Sequence, residues 1–204
     1  MNISGLDNTL YPHLAAYLNA LPSGMDSYPT YTTRSDFTLL LRPHLQEALD
    51  APTLRLQRPY LTKAYSPGTW IPETVYGALC ALARDRLWQN DSSFHRGMGD
   101  VANVMYRSPL YRALMLLFSP HLIVMGAGSR WTSFHQGTSL VFVKRGNKHV
   151  EAEIAFPTAL FSEPSLRSIG ATFCSAVSGA GGADVNLTLK LPEKTKAHFI
   201  LTWT

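Results

Sequence analysis

The sequence predicts an α+β fold: a helical first half, then an antiparallel sheet built from two hairpins flanking a helix. Three observations carry this. Thr138 to Lys144 and His149 to Phe156 are β-prone runs on either side of a Gly146–Asn147 turn. Ser165 to Ser178 carries apolar residues at helical spacing until Ala180, Gly181 and Gly182 break it. Asp184 to Lys190 and Lys196 to Thr204 then read as a second hairpin. Its last strand places Ala197, Phe199, Leu201 and Trp203 on one face and Lys196, His198, Ile200 and Thr202 on the other. An antiparallel sheet with that alternation has one side on a core and one side towards water.

The helical half follows in order. Leu10 to Leu21 presents Leu10, Leu14, Tyr17, Leu18 and Leu21 on one face and stops at Pro22-Ser23-Gly24. Thr33 to Ala51 reads as a helix capped by Ser35 or Asp36 and kinked or split at Pro43. Leu54 to Thr69, with Pro59, Pro67 and Gly68, reads as a long connection. Thr69 caps a helix whose first turn holds Pro72 and whose stripe is Val75, Leu79, Leu82, Ala83 and Leu87. Asp91-Ser92-Ser93 caps the next, from Phe94 to Tyr106. Ser108-Pro109 opens another, with Leu110, Ala113, Leu114, Leu117 and Phe118 inside, and Ser119-Pro120-His121 begins a short helix to Ala127. The 204 residues fit a single domain, in which 1–68 supply the helical N-terminal part and a connection and 69–204 form the α+β core.

Composition narrows the class. Charged residues make up 16% of the chain, against about 25% in an ordinary soluble domain. A hydrophobic content of 46% is enough for a core, and the low charge fraction suggests surface partly covered by a second copy or a protein partner. The net charge of +4 comes from scattered Lys and Arg, the densest group being Lys144 to His149 at a hairpin tip. Without a basic face interleaved with aromatics, nucleic acid is not indicated. Cys80 and Cys174 lie far apart in apolar helical runs, which fits neither a disulfide framework nor a zinc set. They read as core residues in a reducing compartment, so the expected location is cytoplasmic. Met1 to Asp7 lacks a signal-peptide pattern, and the apolar run from Ala113 to Ala127 is too short and interrupted to span a membrane.

Catalytic and metal motifs are not found. None of the seven histidines pairs with another at a spacing of four or neighbours a cysteine pair. Glu151 and Glu153 sit two apart on one strand, which is an ordinary polar face and not a flanking pair of acids. No nucleophile–base pair can be named, so an enzyme is the reading with least support. The best candidate site is Arg130 to Gly137, where two large aromatics stand among polar donors just before a strand. Tyr106 to Arg112 is the second such stretch, at a helix start, where anions are favoured. Trp131, Phe134, Tyr111 and Trp88 would line a pocket for a small apolar or amphipathic ligand, and Arg112, Arg130 and His135 would orient a polar group. The alternative is an interaction scaffold, homodimeric or hetero-oligomeric, without a ligand.

Four stretches resemble an uncharacterised protein family abundant in myxobacteria: Leu21 to Pro29, Trp70-Ile71-Pro72-Glu73, Ser108 to Arg112, and Arg130-Trp131 with His135-Gln136-Gly137. More distantly, the hairpin–helix–hairpin tail after a helical half is similar to the fold shared by four-vinyl-reductase-type domains, trafficking-complex (TRAPP) subunits and haem nitric-oxide-binding domains. That resemblance implies a sensor or dimeric scaffold with an internal apolar pocket. The chain departs from it in two ways. It lacks the cysteine cluster that zinc-bearing members carry near the last strands. Where the haem-binding members have Tyr-x-Ser-x-Arg, Tyr106-Arg107-Ser108-Pro109-Leu110 ends in leucine. The resemblance therefore names no cofactor.

Overall fold

The computed structural model describes residues 6–108, 111 and 130–204. Helix α1 (Pro12–Ala20) leads through a turn to strand β1 (Thr32–Arg34) and the short helices α2 (Asp36–Leu41), α3 (Gln46–Asp50) and α4 (Arg58–Leu61). Strand β2 (Trp70–Pro72) runs straight into α5 (Glu73–Arg86), which is followed by α6 (Asp91–Arg107). After the small strand β3 (His135–Gln136) come the hairpin β4 (Ser139–Gly146) and β5 (His149–Ala155), helix α7 (Glu163–Gly179), and the hairpin β6 (Asn186–Glu193) and β7 (Lys196–Thr202). The fold class is the expected α+β.

The large sheet has the order β4-β5-β7-β6, antiparallel throughout, so the two hairpins meet along their later strands. Facing pairs Val150 and Leu201, Ala152 and Phe199, and Ile154 and Ala197 turn one side of the sheet into core. Helix α7 covers that side and packs in turn on α5 and α6. Its start is set by Ser162, whose Oγ accepts the Ser165 amide at 3.2 Å, with Pro164 in the first turn. Helix α6 begins at a capping box: the Ser93 amide donates to Asn90 Oδ1 at 2.9 Å. Helix α5, held between α1 and α7, is buried on nearly every side from Glu73 to Ala83. A helix that is apolar all round belongs in the centre of a protein, and this one does.

Several expectations need correction. The connection from Leu54 to Thr69 holds α4, and α6 starts at Asp91 under a cap by Asn90, not under one by Asp91-Ser92-Ser93. The span from Thr33 to Ala51 is not one kinked helix. Its start is β1, and Pro43 lies in a 3₁₀ turn (Arg42–Leu45) that separates α2 from α3. Thr69 does not cap a helix: Trp70, Ile71 and Pro72 are a strand, and α5 begins at Glu73. Both corrections come from a second, three-stranded sheet of order β2-β1-β3, in which Thr33 faces Ile71 on one side and His135 on the other. The first hairpin turns at Asn147–Lys148, one residue later than expected. Gly146 and His149 close the ladder and Lys148 takes the positive φ of 60°. The predicted helices from Ser108 to Phe118 and from Ser119 to Ala127 lie almost wholly outside the described residues.

Candidate functional site

The small sheet fixes the site. Pairing β3 against β1 brings His135 to Glu73 at the start of α5 and sets the 130–135 segment around one cavity with Asp36 and Phe37 of α2. Gly137, at φ +87°, then lets the chain turn into β4. Within this segment Trp131 stacks on His135, with ring centres 4.0 Å apart and planes 14° from parallel. The indole Nε1 donates to Thr138 Oγ1 at 2.9 Å, which satisfies the one polar atom of a buried tryptophan. On the other side of the stack, His135 Nδ1 lies 3.1 Å from Glu73 Oε2. Glu73 is 1% exposed, and its second oxygen, Oε1, has no hydrogen-bond partner among the described residues.

Around this pair the aromatics continue. Phe134 stacks on Tyr111 at 5.8 Å, and Tyr106 meets Tyr111 edge-on at 6.2 Å. Phe173 of α7 approaches Trp131 at 6.3 Å, and Tyr76 of α5 meets His135 edge-on at 6.4 Å. Together with Phe37, Met105, Leu140 and Ile169 they line a partly open cavity of about 170 Å³. Thr33, Arg34, Asp36, Arg130 and Thr172 supply most of its polar edge. The Arg34 guanidinium donates to the Gly68 carbonyl and lies 5.1 Å over the Trp70 ring, so it is already engaged.

Burial keeps the hydroxyls and thiols here neutral. It pushes the Tyr106 phenol above its ordinary pKa, and burial with the nearby Asp36 carboxylate does the same for Tyr111. The Tyr106 hydroxyl donates to the Thr172 carbonyl at 3.3 Å. Around Glu73, burial raises Tyr17 and Tyr76, with the Glu73 charge adding to both, and burial pushes the Cys80 thiol up to about 12. Among the described residues, no group of three His, Cys, Asp or Glu side chains is placed to hold a metal ion.

The sequence-derived candidates divide cleanly. Arg130, Trp131, Phe134, His135 and Tyr111 all stand at this cavity. Arg112 lies outside the described residues. Trp88 is elsewhere: the link between α5 and α6 folds its indole onto Phe94, 6.3 Å away, and over Gly97. Sequence reading missed Glu73, Tyr76, Asp36 and Phe173. Glu73 carried a signal, since an acid at the head of an otherwise apolar helix is costly to bury without a purpose.

No family model matches the chain, and no curated protein matches it by sequence. Solved structures do match in shape. One is an Fe(II) unliganded H-NOX protein from K. algicida, with a TM-score of 0.54 and 11% identity over 82% of this chain and 96% of that one. A glycine-for-alanine mutant of it aligns at a TM-score of 0.56 and 10% identity, over 84% and 96%. A Cs H-NOX mutant carrying 4-cyano-L-phenylalanine gives 0.53 and 8%, over 83% and 94%. The fold is that of the H-NOX proteins. This likeness bears out the distant fold resemblance to haem nitric-oxide-binding domains. At about 170 Å³ the cavity is below the roughly 300–1,000 Å³ of sites for drug-sized ligands.

Proposed function

We propose that this chain is a non-enzymatic sensor or signalling module that binds a small apolar or amphipathic ligand. Its 204 residues would act as one domain, a reading supported by the packing of α1 on α5 across the 68/69 division. The observation that carries the proposal is the cavity between Trp131, Phe134, Tyr111 and His135. Its volume of about 170 Å³ is close to the roughly 150 Å³ of an apolar cavity that stays dry and takes up benzene or xenon. Walls of aromatic rings with a few polar groups that fix orientation are the usual make-up of such sites. The H-NOX fold adds support of a general kind, because its solved members include proteins described by the state of an iron ligand site. The two buried, unpaired cysteines support a reducing, cytoplasmic setting. No helix among the described residues is long and apolar enough to cross a membrane.

Native mass spectrometry of the protein purified from its own cells tests this reading, with a denaturing run alongside. A reproducible extra mass that is lost on denaturation is the expected result. A clean dimer or hetero-complex without extra mass would overturn it in favour of the scaffold.

A further inference from the structure

Arg58 and Arg42 put the same side chain to different uses. Arg58, at the start of α4, spends one edge of its guanidinium on the protein: Nε donates to the Leu49 carbonyl at 2.8 Å, and Nη2 donates to the carbonyls of Asp50 and Ala51. That edge closes the C-terminal end of α3, a structural task. Arg42, in the 3₁₀ turn between α2 and α3, donates from Nη1 to the Lys63 carbonyl at 2.9 Å. Its Nε and Nη2 are buried and have no hydrogen-bond partner among the described residues. None of the ion pairs among the described residues involves Arg42, and the remaining residues of the chain include no Asp or Glu. Arginine stays charged throughout the pH range of proteins. Two donors of a cation are thus taken out of water with no anion to answer them, which is costly. Burial accordingly holds the Arg42 pKa below the ordinary value for arginine.

The neighbouring loop gives a second observation. Arg42 Cζ lies 5.6 Å from the centre of the Tyr65 ring and Lys63 Nζ lies 5.9 Å from it, so two cations share one aromatic face. From Lys63 to Ser66 the chain has no regular structure, and apart from Tyr65 it is exposed. The loop is tied at both ends: Thr62 Oγ1 donates to the Arg58 carbonyl at 2.8 Å, and the Ser66 carbonyl accepts from the Ser35 and Thr69 hydroxyls, each at 2.8 Å. Lys63, Ala64 and Tyr65 stand between these anchors, so the ring can turn aside while both ends stay bonded. Parallel N–H donors on one guanidinium edge match two oxygens of a single carboxylate or phosphate. We infer that Arg42 Nε and Nη2 form a binding site for a small oxyanion, a carboxylate or phosphate group, with Lys63 adding charge at the rim and Tyr65 turning aside to admit it. The site is built from the end of α2 and the 62–66 loop, apart from the aromatic cavity, and stands or falls without it.

Side-chain NMR of the full chain tests this, with sodium phosphate, sodium acetate and sodium chloride added at matched ionic strength. The Arg42 Nε–H signal, assigned by its loss in Arg42→Lys, should shift to saturation with phosphate or acetate and stay still with chloride. The tighter of the two anions identifies the group the site prefers. Backbone amides of Lys63 and Tyr65 report the same binding in the variant. Arg42→Lys keeps the charge and loses the fork, so the affinity read from those amides should fall roughly tenfold, the worth of one hydrogen bond. Tyr65→Ala, with no ring to displace, should bind more tightly, and a loss of binding there would overturn the part given to Tyr65. An Arg42 signal that answers chloride as it answers phosphate and acetate reports screening alone, an outcome that removes the site. Unchanged affinity in Arg42→Lys would do the same, because a point charge would then suffice.

Discussion

Trp131 and His135 are stacked at 4.0 Å, and each is pinned at its outer edge by a buried partner: Thr138 holds the indole at 2.9 Å, and Glu73 lies 3.1 Å from the imidazole. The result is a chain Thr138–Trp131–His135–Glu73 that joins the start of the large sheet to the head of the central helix. The stack cannot shift without breaking a bond to a buried group, so one wall of the cavity is preformed.

Thr138→Val tests the first link. The substitution keeps the shape and removes the acceptor of a buried indole N–H. An unsatisfied buried donor costs about 1–3 kcal/mol. Urea unfolding should show a lowered midpoint with an unchanged slope, the sign of lost stability without a changed unfolded state. A loss within about 0.5 kcal/mol, the range of an ordinary surface substitution, would mean that the indole finds another acceptor.

The large sheet and its helix were legible because their patterns are local. The alternation of Ala197, Phe199, Leu201 and Trp203 describes a buried face, and all four are buried. Five of the seven candidate site residues meet at one cavity for a related reason: four of them lie within Arg130 to His135, where tight turns keep sequence neighbours as spatial neighbours. The three-stranded sheet was not legible. Its strands have two or three residues, too few to show a period, and its pairings link Thr33 to Ile71 and to His135. The partner of Glu73 was hidden by the same event, since this sheet brings His135 to it. Trp88 looked like a site residue because an aromatic beside a helix end suits a pocket equally well. What placed it was the absence of a side chain at Gly97, a feature of the next helix.

Gly97→Ala sets two effects against each other. Alanine gains about 0.8–1.0 kcal/mol over glycine inside a helix. A Cβ at Gly97, however, would fall 2.1 Å from Trp88 Cε2 and 2.4 Å from Cζ2, where no contact is tolerable. Overpacking costs typically 1–3 kcal/mol, so the clash wins and the melting temperature falls. Adding Trp88→Leu to the variant should recover part of the loss. If Gly97→Ala alone raises the melting temperature, the indole does not occupy that notch in solution.

The two thiols should be inert in the native state. Burial pushes Cys80 up to about 12 and Cys174 up to about 11, so neither supplies thiolate at neutral pH, and Cys80 is fully enclosed. Ellman's reagent should titrate no thiol in native buffer and two in guanidinium. Slow native labelling would report local opening of α5 or α7. Complete labelling within minutes at neutral pH would contradict the packing of both helices.

His95 on α6 gives the fold a defined acid sensitivity. It is half-buried, and burial first, then the charge of Arg167, hold its pKa below the ordinary 6.5. The sign follows from linkage: below pH 6.5 the unfolded chain takes up this proton more readily than the folded one. The contribution of neutral His95 is therefore complete above that pH and is lost as the pH falls through the lower, folded value. His95→Gln cannot titrate. Its urea midpoint should fall less between pH 7.5 and pH 5 than that of the native protein, while other histidines titrate alike in both. Arg167→Gln should move the native curve part of the way in the same direction, because it removes the smaller of the two causes. Parallel curves for the native protein and His95→Gln would show that His95 is as easily protonated in the folded state as in the unfolded one.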